Sequence, residues 1–256
     1  MSTHTSSSHS DAVVIIPMYN ECENAAAIID AVLALPRPID ILVIDDNSPD
    51  GTAAIVKDKI AANPGRVHII EREGKLGLGT AYITGFRWAL DHGYEVVCEM
   101  DADFSHDPKD LLRLYEAVTD GGADIAIGSR YVTGVNVVNW PMGRVLMSYY
   151  ASAYVRLVTR MPVRDTTAGF VCYRRRVLEA LPLDHIKFKG YAFQIEMKFT
   201  AFKYGFRIVE VPIVFVNRVL GSSKMSGGIF GEAVLGVIRL KWNSLWRKYP
   251  DYSTRS

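Results

Sequence analysis

Residues 12–52 read "AVVIIPMYNECENAAAIIDAVLALPRPIDILVIDDNSPDGT". The run 12–16 is apolar without alternation, the pattern of a strand covered on both faces. It breaks into the polar "PMYNE" at 17–21, and 23–35 then carries apolar residues at helical spacing. A second apolar run, 39–44, stops on Asp45-Asp46, and "DDNSPDGT" turns into a helix over 50–62 capped by Ser48 or Asp50. Working outward, 67–71 reads as a strand, 77–92 as a helix closed by Gly93, and 94–100 and 124–127 as strands, with a helix after Pro108 between them. Strands alternating with helices predict a mostly parallel sheet flanked by helices, and such sheets bind ligands beyond the carboxyl ends of their strands.

After about Trp140 the alternation loosens. Residues 141–160, 191–204 and 229–248 read as helical, 167–173 as strand-like and 206–216 as extended. With 256 residues, 49% of them apolar, the chain has room for one large α/β domain with a full core. The Ser/Thr/His-rich residues 1–10 read as a disordered tail without a secretory signal. A formal charge of +1 gives no global field for nucleic acid. Cys22, Cys98 and Cys172 lie far apart without CxxC spacing, which suits reduced thiols in the cytoplasm rather than a disulfide framework or zinc site. No apolar run approaches the roughly 18 residues of a membrane span, so the chain reads as soluble or as lying on a membrane without crossing it.

Three predicted strand ends carry polar chemistry: 17–21, 45–52 and "DADFS" at 101–105. In an extended segment Asp101 and Asp103 share a face. Their mutual repulsion is relieved by a divalent cation such as Mg²⁺, whose shell a substrate's phosphates complete. An exposed acidic turn has the same composition, but the position after a buried strand favours the metal. Asp45 and Asp46 suit hydrogen bonds to a base or ribose, or helix capping. Tyr19 suits stacking on a base, or an ordinary half-buried position.

The glycine-rich "GKLGLGTAY" at 74–82 is a partial dinucleotide-binding fingerprint with Tyr82 at its third glycine position, so helix entry is the better reading. In "RVLGSSKMSGG", 218–228, Arg218 and Lys224 suit a lid over phosphates or a solvated basic loop. Arg130 in "GSRY" is a third candidate cation.

Together "IIPMYNE", "VIDDNSPDGT", "LGLGTAYITGF", "EMDADFSHDP", "IGSRYV", "TAGFVCYRR", "KGYAFQIEM" and "FVNRVLGSSKMSGG" resemble the dolichol-phosphate or polyprenol-phosphate mannose synthases. These are inverting family 2 glycosyltransferases of GT-A-type, Rossmann-like α/β fold. The likeness covers roughly residues 12–230 and implies a glycosyltransferase domain over 11–228. It implies transfer of mannose from GDP-mannose to a polyprenyl phosphate, with Mg²⁺ or Mn²⁺ as cofactor. Pro17, Tyr19, Glu21, Ile44 and Asp46 match positions holding the guanosine end of the donor. Asp101, Ala102 and Asp103 match the metal and diphosphate motif, with both aspartates as ligands. Ser105 stands where some relatives place a glutamine ligand, so its hydroxyl implies a weaker or water-mediated contact. Arg130, Arg218 and Lys224 match cations for the donor diphosphate and acceptor phosphate. Met18 and Asn47 depart from the common Thr and Gly without removing a charged group.

A lipid-phosphate acceptor implies a peripheral enzyme at the cytosolic face of a membrane, with room for a membrane protein that recruits it. In the segment 229–256 the last helix places Phe230, Val234, Val237, Ile238, Trp242 and Leu245 on one face and Glu232, Arg239, Asn243 and Arg247 opposite. That pattern suits a membrane-interfacial helix or one packed on the domain. The rivals are a UDP-glucose-dependent relative, a nicotinamide-dependent oxidoreductase resting on the glycine loop, and a non-catalytic sugar-nucleotide-binding subunit.

Overall fold

The computed structural model describes residues 10–188, 190, 192–217 and 229–253. The unalternating apolar runs become strands with no solvent face. β1 (Ala12–Met18) is buried except at Pro17, and β2 (Asp40–Asp45) is buried throughout. Successive side chains leave a strand on opposite faces, so each run feeds two cores. Val13, Ile15, Leu42 and Ile44 pack with Tyr82 and Phe86 of α3 (Leu78–Asp91) on one face. Val14, Ile16, Ile41 and Val43 meet α1 (Ala25–Leu33) on the other, together with Leu111 and Leu114 of α4 (Asp110–Thr119).

The remaining strands of the main sheet are β3 (Val67–Glu71), β4 (Val96–Glu99), β5 (Ile125–Ser129), β7 (Val171–Arg174) and β8 (Ile208–Pro212). Their order is β3-β2-β1-β4-β7-β5-β8. Every neighbouring pair is parallel except those of β7, which runs antiparallel to both β4 and β5. The expected mostly parallel sheet is therefore correct, with one reversed strand that the sequence did not announce. β6 (Val137–Val138) and β9 (Phe215–Val216) form a separate parallel pair. The extended stretch expected over 206–216 is thus two strands in two sheets.

Local differences have local causes. α2 (Thr52–Ala62) starts after Gly51, so neither Ser48 nor Asp50 is its N-cap residue. Asp50 still accepts from the Thr52 N–H at 3.1 Å, one of the helix's orphan donors. The six-residue α6 (Arg175–Ala180) was not read from the sequence, being too short for a periodic signal. At the end of α3 the expected Gly93 takes φ +79°, with Gly93 N bonded to Leu90 O and Tyr94 N to Ala89 O, a Schellman closure. Ser10, expected in a disordered tail, is buried and donates to the Pro38 carbonyl at 2.7 Å.

α5 (Met142–Thr159), α7 (Ala192–Lys203) and α8 (Ile229–Trp246) pack together beyond the sheet. α8 is docked and exposed at once. Val237 and Ser244 are buried inward, while Leu235, Ile238, Trp242, Leu245 and Trp246 are exposed. The side chains of Phe230 and Glu232 lie outside those described. Among the described residues no helix is long and apolar enough to cross a membrane.

Gly79, in the first turn of α3, sits where a Cβ would lie 2.8 Å from both the Phe188 carbonyl oxygen and the Phe193 ring. Gly79→Val is expected to destabilise the fold by about 1–3 kcal/mol through overpacking, read as a lower urea midpoint. An unchanged midpoint would show that α3 and α7 separate freely.

Candidate active site

The loops after β1 and β2 are stitched into one rim. Asn20 N donates to Ser48 Oγ, Glu21 N to Thr52 Oγ1 and Cys22 N to Asp50 Oδ2, each at 3.0 Å. Asp46 N reaches the Met18 carbonyl at 3.0 Å. Asn20 and Asn47 hold φ of +53° and +60°, a region asparagine tolerates better than most residues. Asn47 thus keeps the turn where glycine is the commoner residue. Asp45 is spent on this rim, accepting from Ser48 N at 3.0 Å and Ser48 Oγ at 2.6 Å.

Asp46 forms a buried ion pair with Arg72, whose Nη2 lies 2.5 Å and Nε 2.6 Å from Oδ1. Arg72 also donates to Thr80 Oγ1 at 2.8 Å, tying the end of β3 to the start of α3. Burial pushes the Asp46 carboxyl above its ordinary range, and Arg72 opposes it. Sequence reasoning passed over Arg72, a lone cation just past an apolar strand. Pro17, Tyr19 and Glu21 are half-buried at the rim. Lys75 Nζ lies 5.1 Å from the Tyr19 ring centroid. Ile44 is entirely within the core, so its side chain presents nothing to a nucleotide.

β4 ends at Glu99, and Met100 N still reaches the Ile15 carbonyl at 3.1 Å. Asp101 and Asp103 then lie in a bend rather than on an extended strand, so the shared face expected of an extended segment has no strand to support it. The Asp101 side chain is 41% exposed, whereas Asp103 and Ala102 are buried. Asp103 Oδ1 accepts from Ser105 N at 3.1 Å while Phe104 turns at φ +56°. Ser105 is buried beneath the bend, and its carbonyl accepts from Val216 N at 3.1 Å. The His106 ring stacks on Phe170 at 4.8 Å and meets Phe215 edge-on at 5.2 Å. Burial lowers its pKa to about 4, so it is neutral at pH 7, and its Nδ1 lies 4.0 Å from Asp101 Oδ2.

Among the described residues no cluster of three His, Cys, Asp or Glu forms a metal cage. Two hard carboxylates at the mouth of a crevice nevertheless suit a divalent cation that takes one or two protein ligands and completes its shell with phosphate and water. The chemistry of the donor set therefore fits Mg²⁺ or Mn²⁺ at Asp101 and Asp103.

Arg130 stands beside this motif with its charge already matched. Its Nε and Nη2 grip Asp165 at 2.7 and 2.6 Å, its backbone N–H donates to the same carboxylate at 2.9 Å, and Nη2 also reaches Thr167 Oγ1. Burial alone would lift the Asp165 carboxyl, but Arg130 overrides it and holds Asp165 below its usual range. Arg130, the candidate cation of the sequence, is thus held by Asp165, and the pair leaves Nη1 outside its two-pronged grip. Arg218 and Lys224 lie outside the described residues.

Beneath the acidic bend runs a buried polar line that sequence reasoning missed, because all of its members look like ordinary surface residues. Gln194 of α7 donates to Glu99 Oε2 at 2.5 Å, and Lys198 Nζ donates to Gln194 Oε1 at 3.2 Å and to the Ala168 carbonyl at 2.6 Å. Glu99 and Lys198 are fully buried. Burial lifts the Glu99 pKa to about 8 and lowers that of Lys198 to about 8. The line joins the end of β4 to the loop that carries Asp165.

The glycosyl transferase family 2 model matches residues 13–181, which contain the rim, the acidic bend and the Arg130–Asp165 pair. The chain belongs to glycosyl transferase family 2. It is 50% identical over 225 residues to the polyprenol monophosphomannose synthase of Mycolicibacterium smegmatis, covering 88% of this chain and 84% of that one. It is 48% identical over 234 residues to the undecaprenyl-phosphate mannosyltransferase of Micrococcus luteus, covering 91% and 95%. Among solved structures it resembles the glucosyl-3-phosphoglycerate synthase of Mycobacterium tuberculosis, with a TM-score of 0.64 at 18% identity over 92% of this chain and 80% of that one. It also resembles a Pyrobaculum calidifontis mannosyltransferase solved with GDP-Man and Mn²⁺, with a TM-score of 0.57 at 19% identity, covering 96% and 66%. These likenesses show the GT-A-type fold. In this glycosyltransferase the glycine loop is a packing device, since Gly79 makes room for Phe193. The dinucleotide reading of that loop is set aside.

The buried Lys198 has a folded-state pKa below its unfolded value of 10.5. Unfolding therefore takes up a proton between about pH 8 and 10.5, and this contribution makes stability rise with pH across that window. Lys198→Met is expected to remove that slope in chemical unfolding series. An unaltered slope would place the lysine in water.

Proposed function

We propose that this glycosyltransferase moves mannose from GDP-mannose to a polyprenyl monophosphate with inversion at the anomeric carbon. The observation that carries the reading is the pair Asp101 and Asp103 at the carboxyl end of β4, beside the fused rim of β1 and β2, in a chain about half identical to two enzymes named for polyprenyl-phosphate mannosyl transfer. Pro17, Tyr19, Glu21 and Asp46 hold the nucleoside end, with Ile44 forming the core beneath them. Asp101 and Asp103 hold Mg²⁺ or Mn²⁺ beside Ala102. Ser105 fixes the Asp103 carboxylate through its backbone N–H, and its hydroxyl is left a weak or water-mediated contact with the metal. Arg130, oriented by Asp165, meets phosphate oxygens through Nη1, and Arg218 and Lys224 supply further positive charge.

A phosphate monoester has a second pKa near 6, so the acceptor is a dianion at neutral pH and needs no protein base. The neutral, buried His106 is consistent with that economy. The task left to the chain is to bring two anions together, which its cations and the acidic bend's metal preference do. A bound divalent cation would stabilise the departing nucleoside diphosphate. Labelled transfer from GDP-mannose into an organic-extractable product is expected with Mg²⁺ or Mn²⁺ and to vanish with EDTA. Asp103→Asn is expected to lower it at least about 100-fold, the scale of losing several kcal/mol of charge stabilisation. Transfer from UDP-glucose but not GDP-mannose would replace the donor while keeping the fold.

The acceptor sits in a bilayer, and the exposed apolar residues suit a peripheral protein at its cytosolic face. On α8 Trp242 is 63% and Trp246 80% exposed, and on α5 Leu157 is 80% exposed. Indole rings and long apolar side chains are what a headgroup region takes up. Trp242→Ser/Trp246→Ser is expected to weaken sedimentation with liposomes while leaving the unfolding midpoint in place. Undiminished sedimentation would exclude α8 as the anchor.

A further inference from the structure

At the rim of that apolar surface lies a pocket of about 150 Å³ lined by Tyr131, Tyr149, Arg156 and Arg164. Its lining holds two guanidinium groups and no carboxylate. Among the described residues neither Arg156 nor Arg164 forms an ion pair. Arg164 Nη1 is braced on the Val132 carbonyl at 2.9 Å, and its backbone N–H on Glu210 Oε2 at 2.8 Å. Tyr131 is only 4% exposed, and its hydroxyl faces the Ser148 side chain on α5 without a hydrogen bond of ordinary geometry. That hydroxyl sits at a pocket with positive walls. The Tyr149 ring packs edge-on against Tyr131 at 5.5 Å and fixes the other wall.

Tyr149 and Arg156 are seven residues apart on α5 and share one stripe of it. The adjoining stripe carries Leu146, Tyr150 and Leu157, all exposed. A molecule that presents a phosphate to this pocket would therefore lay its apolar part along exposed apolar side chains.

We propose that this pocket binds a lipid-borne phosphate, that of an anionic phospholipid of the bilayer rather than that of the reacting acceptor. The inference rests on the membrane-facing reading of α5 and α8. Position separates the two sources. From the acidic bend outward, His106 meets Phe215, Phe215 lies 5.6 Å from the Arg130 guanidinium, and Arg130 lies 5.2 Å from the Tyr131 ring. Along that path the Arg130 guanidinium stands between the pocket wall at Tyr131 and the acidic bend. A phosphate held there fixes how the domain sits on the membrane and takes no part in bond formation.

The test is sedimentation with phosphatidylcholine vesicles, with and without phosphatidylglycerol. Wild type is expected to prefer the anionic vesicles. Arg156→Gln, whose side chain has no hydrogen bond among the described residues, is expected to lower that preference about fivefold, and Arg156→Gln/Arg164→Gln by about that factor again. Tyr131→Phe, which changes no charge, is expected to lower it as well, while binding to neutral vesicles stays level. Arg239→Gln, on α8 outside the pocket, is the control. An equal loss with Arg239→Gln and none with Tyr131→Phe would replace the pocket by a diffuse basic surface. Equal binding of wild type to both vesicle types would overturn the pocket alone, whereas binding to neither would overturn the membrane reading beneath it. With a short water-soluble isoprenyl phosphate and no vesicles, the acceptor KM of Arg156→Gln is expected to match wild type. A raised KM would reassign the pocket to the reacting phosphate and overturn the inference.

Discussion

Strands β1, β2 and β4 are covered on both faces, and a doubly covered strand has no place for a polar side chain except at its ends. Ala12 to Ile16, Ile41 to Ile44 and Val96 to Cys98 accordingly form an almost uninterrupted apolar slab. Parallel pairing then brings all three carboxyl ends to one side of the sheet. The crevice, the fused rim and the acidic bend follow from that single restriction. The restriction also explains why Glu99, the one ionisable side chain at the buried end of β4, is driven toward its neutral form.

Charges near the crevice fall into two groups. Asp46 with Arg72, and Asp165 with Arg130, are buried and paired through several hydrogen bonds. Lys198 is satisfied by two backbone carbonyls and Gln194. Such pairs are poor evidence for extra stability, since desolvation offsets most of the attraction. Their use here is geometric. They lock β3 to α3, β5 to the loop before β7, and α7 to that loop and to β4, so that the groups at the crevice mouth have fixed supports. Asp101 is different, a carboxylate in an acidic neighbourhood with substantial exposure to water, which is where a cation from solution can be met.

The reversed strand β7 connects the crevice-bearing half of the chain to its C-terminal helices. It inserts between β4 and β5 and places Phe170 beneath His106. β9 closes from the other side through Phe215. The acidic bend is thereby clamped between elements that lie more than sixty residues further along the sequence. α5 and α8 pack on each other and leave exposed apolar side chains on their outer sides, so one helical layer carries the apolar surface while the sheet carries the crevice.

The sequence by itself determined the alternation of strands and helices over its first half, the parallel sheet and the three polar strand ends. All of these depend on local periodicity and on where an apolar run stops. It also marked Asp101 and Asp103, because two acids after a buried strand stand out without knowledge of their neighbours. Only the tertiary structure decided that β7 runs backward, that Arg130 belongs to Asp165, that Asp46 belongs to Arg72, and that Ile44 lies in the core rather than at the crevice. It likewise decided that Glu99, Gln194 and Lys198 form one buried line, and that α8 packs one side while exposing its tryptophans. Each of these is a choice of partner between residues distant in the chain. A charged side chain looks the same in sequence whether it faces water, a ligand or an opposite charge, and only long-range packing selects among the three.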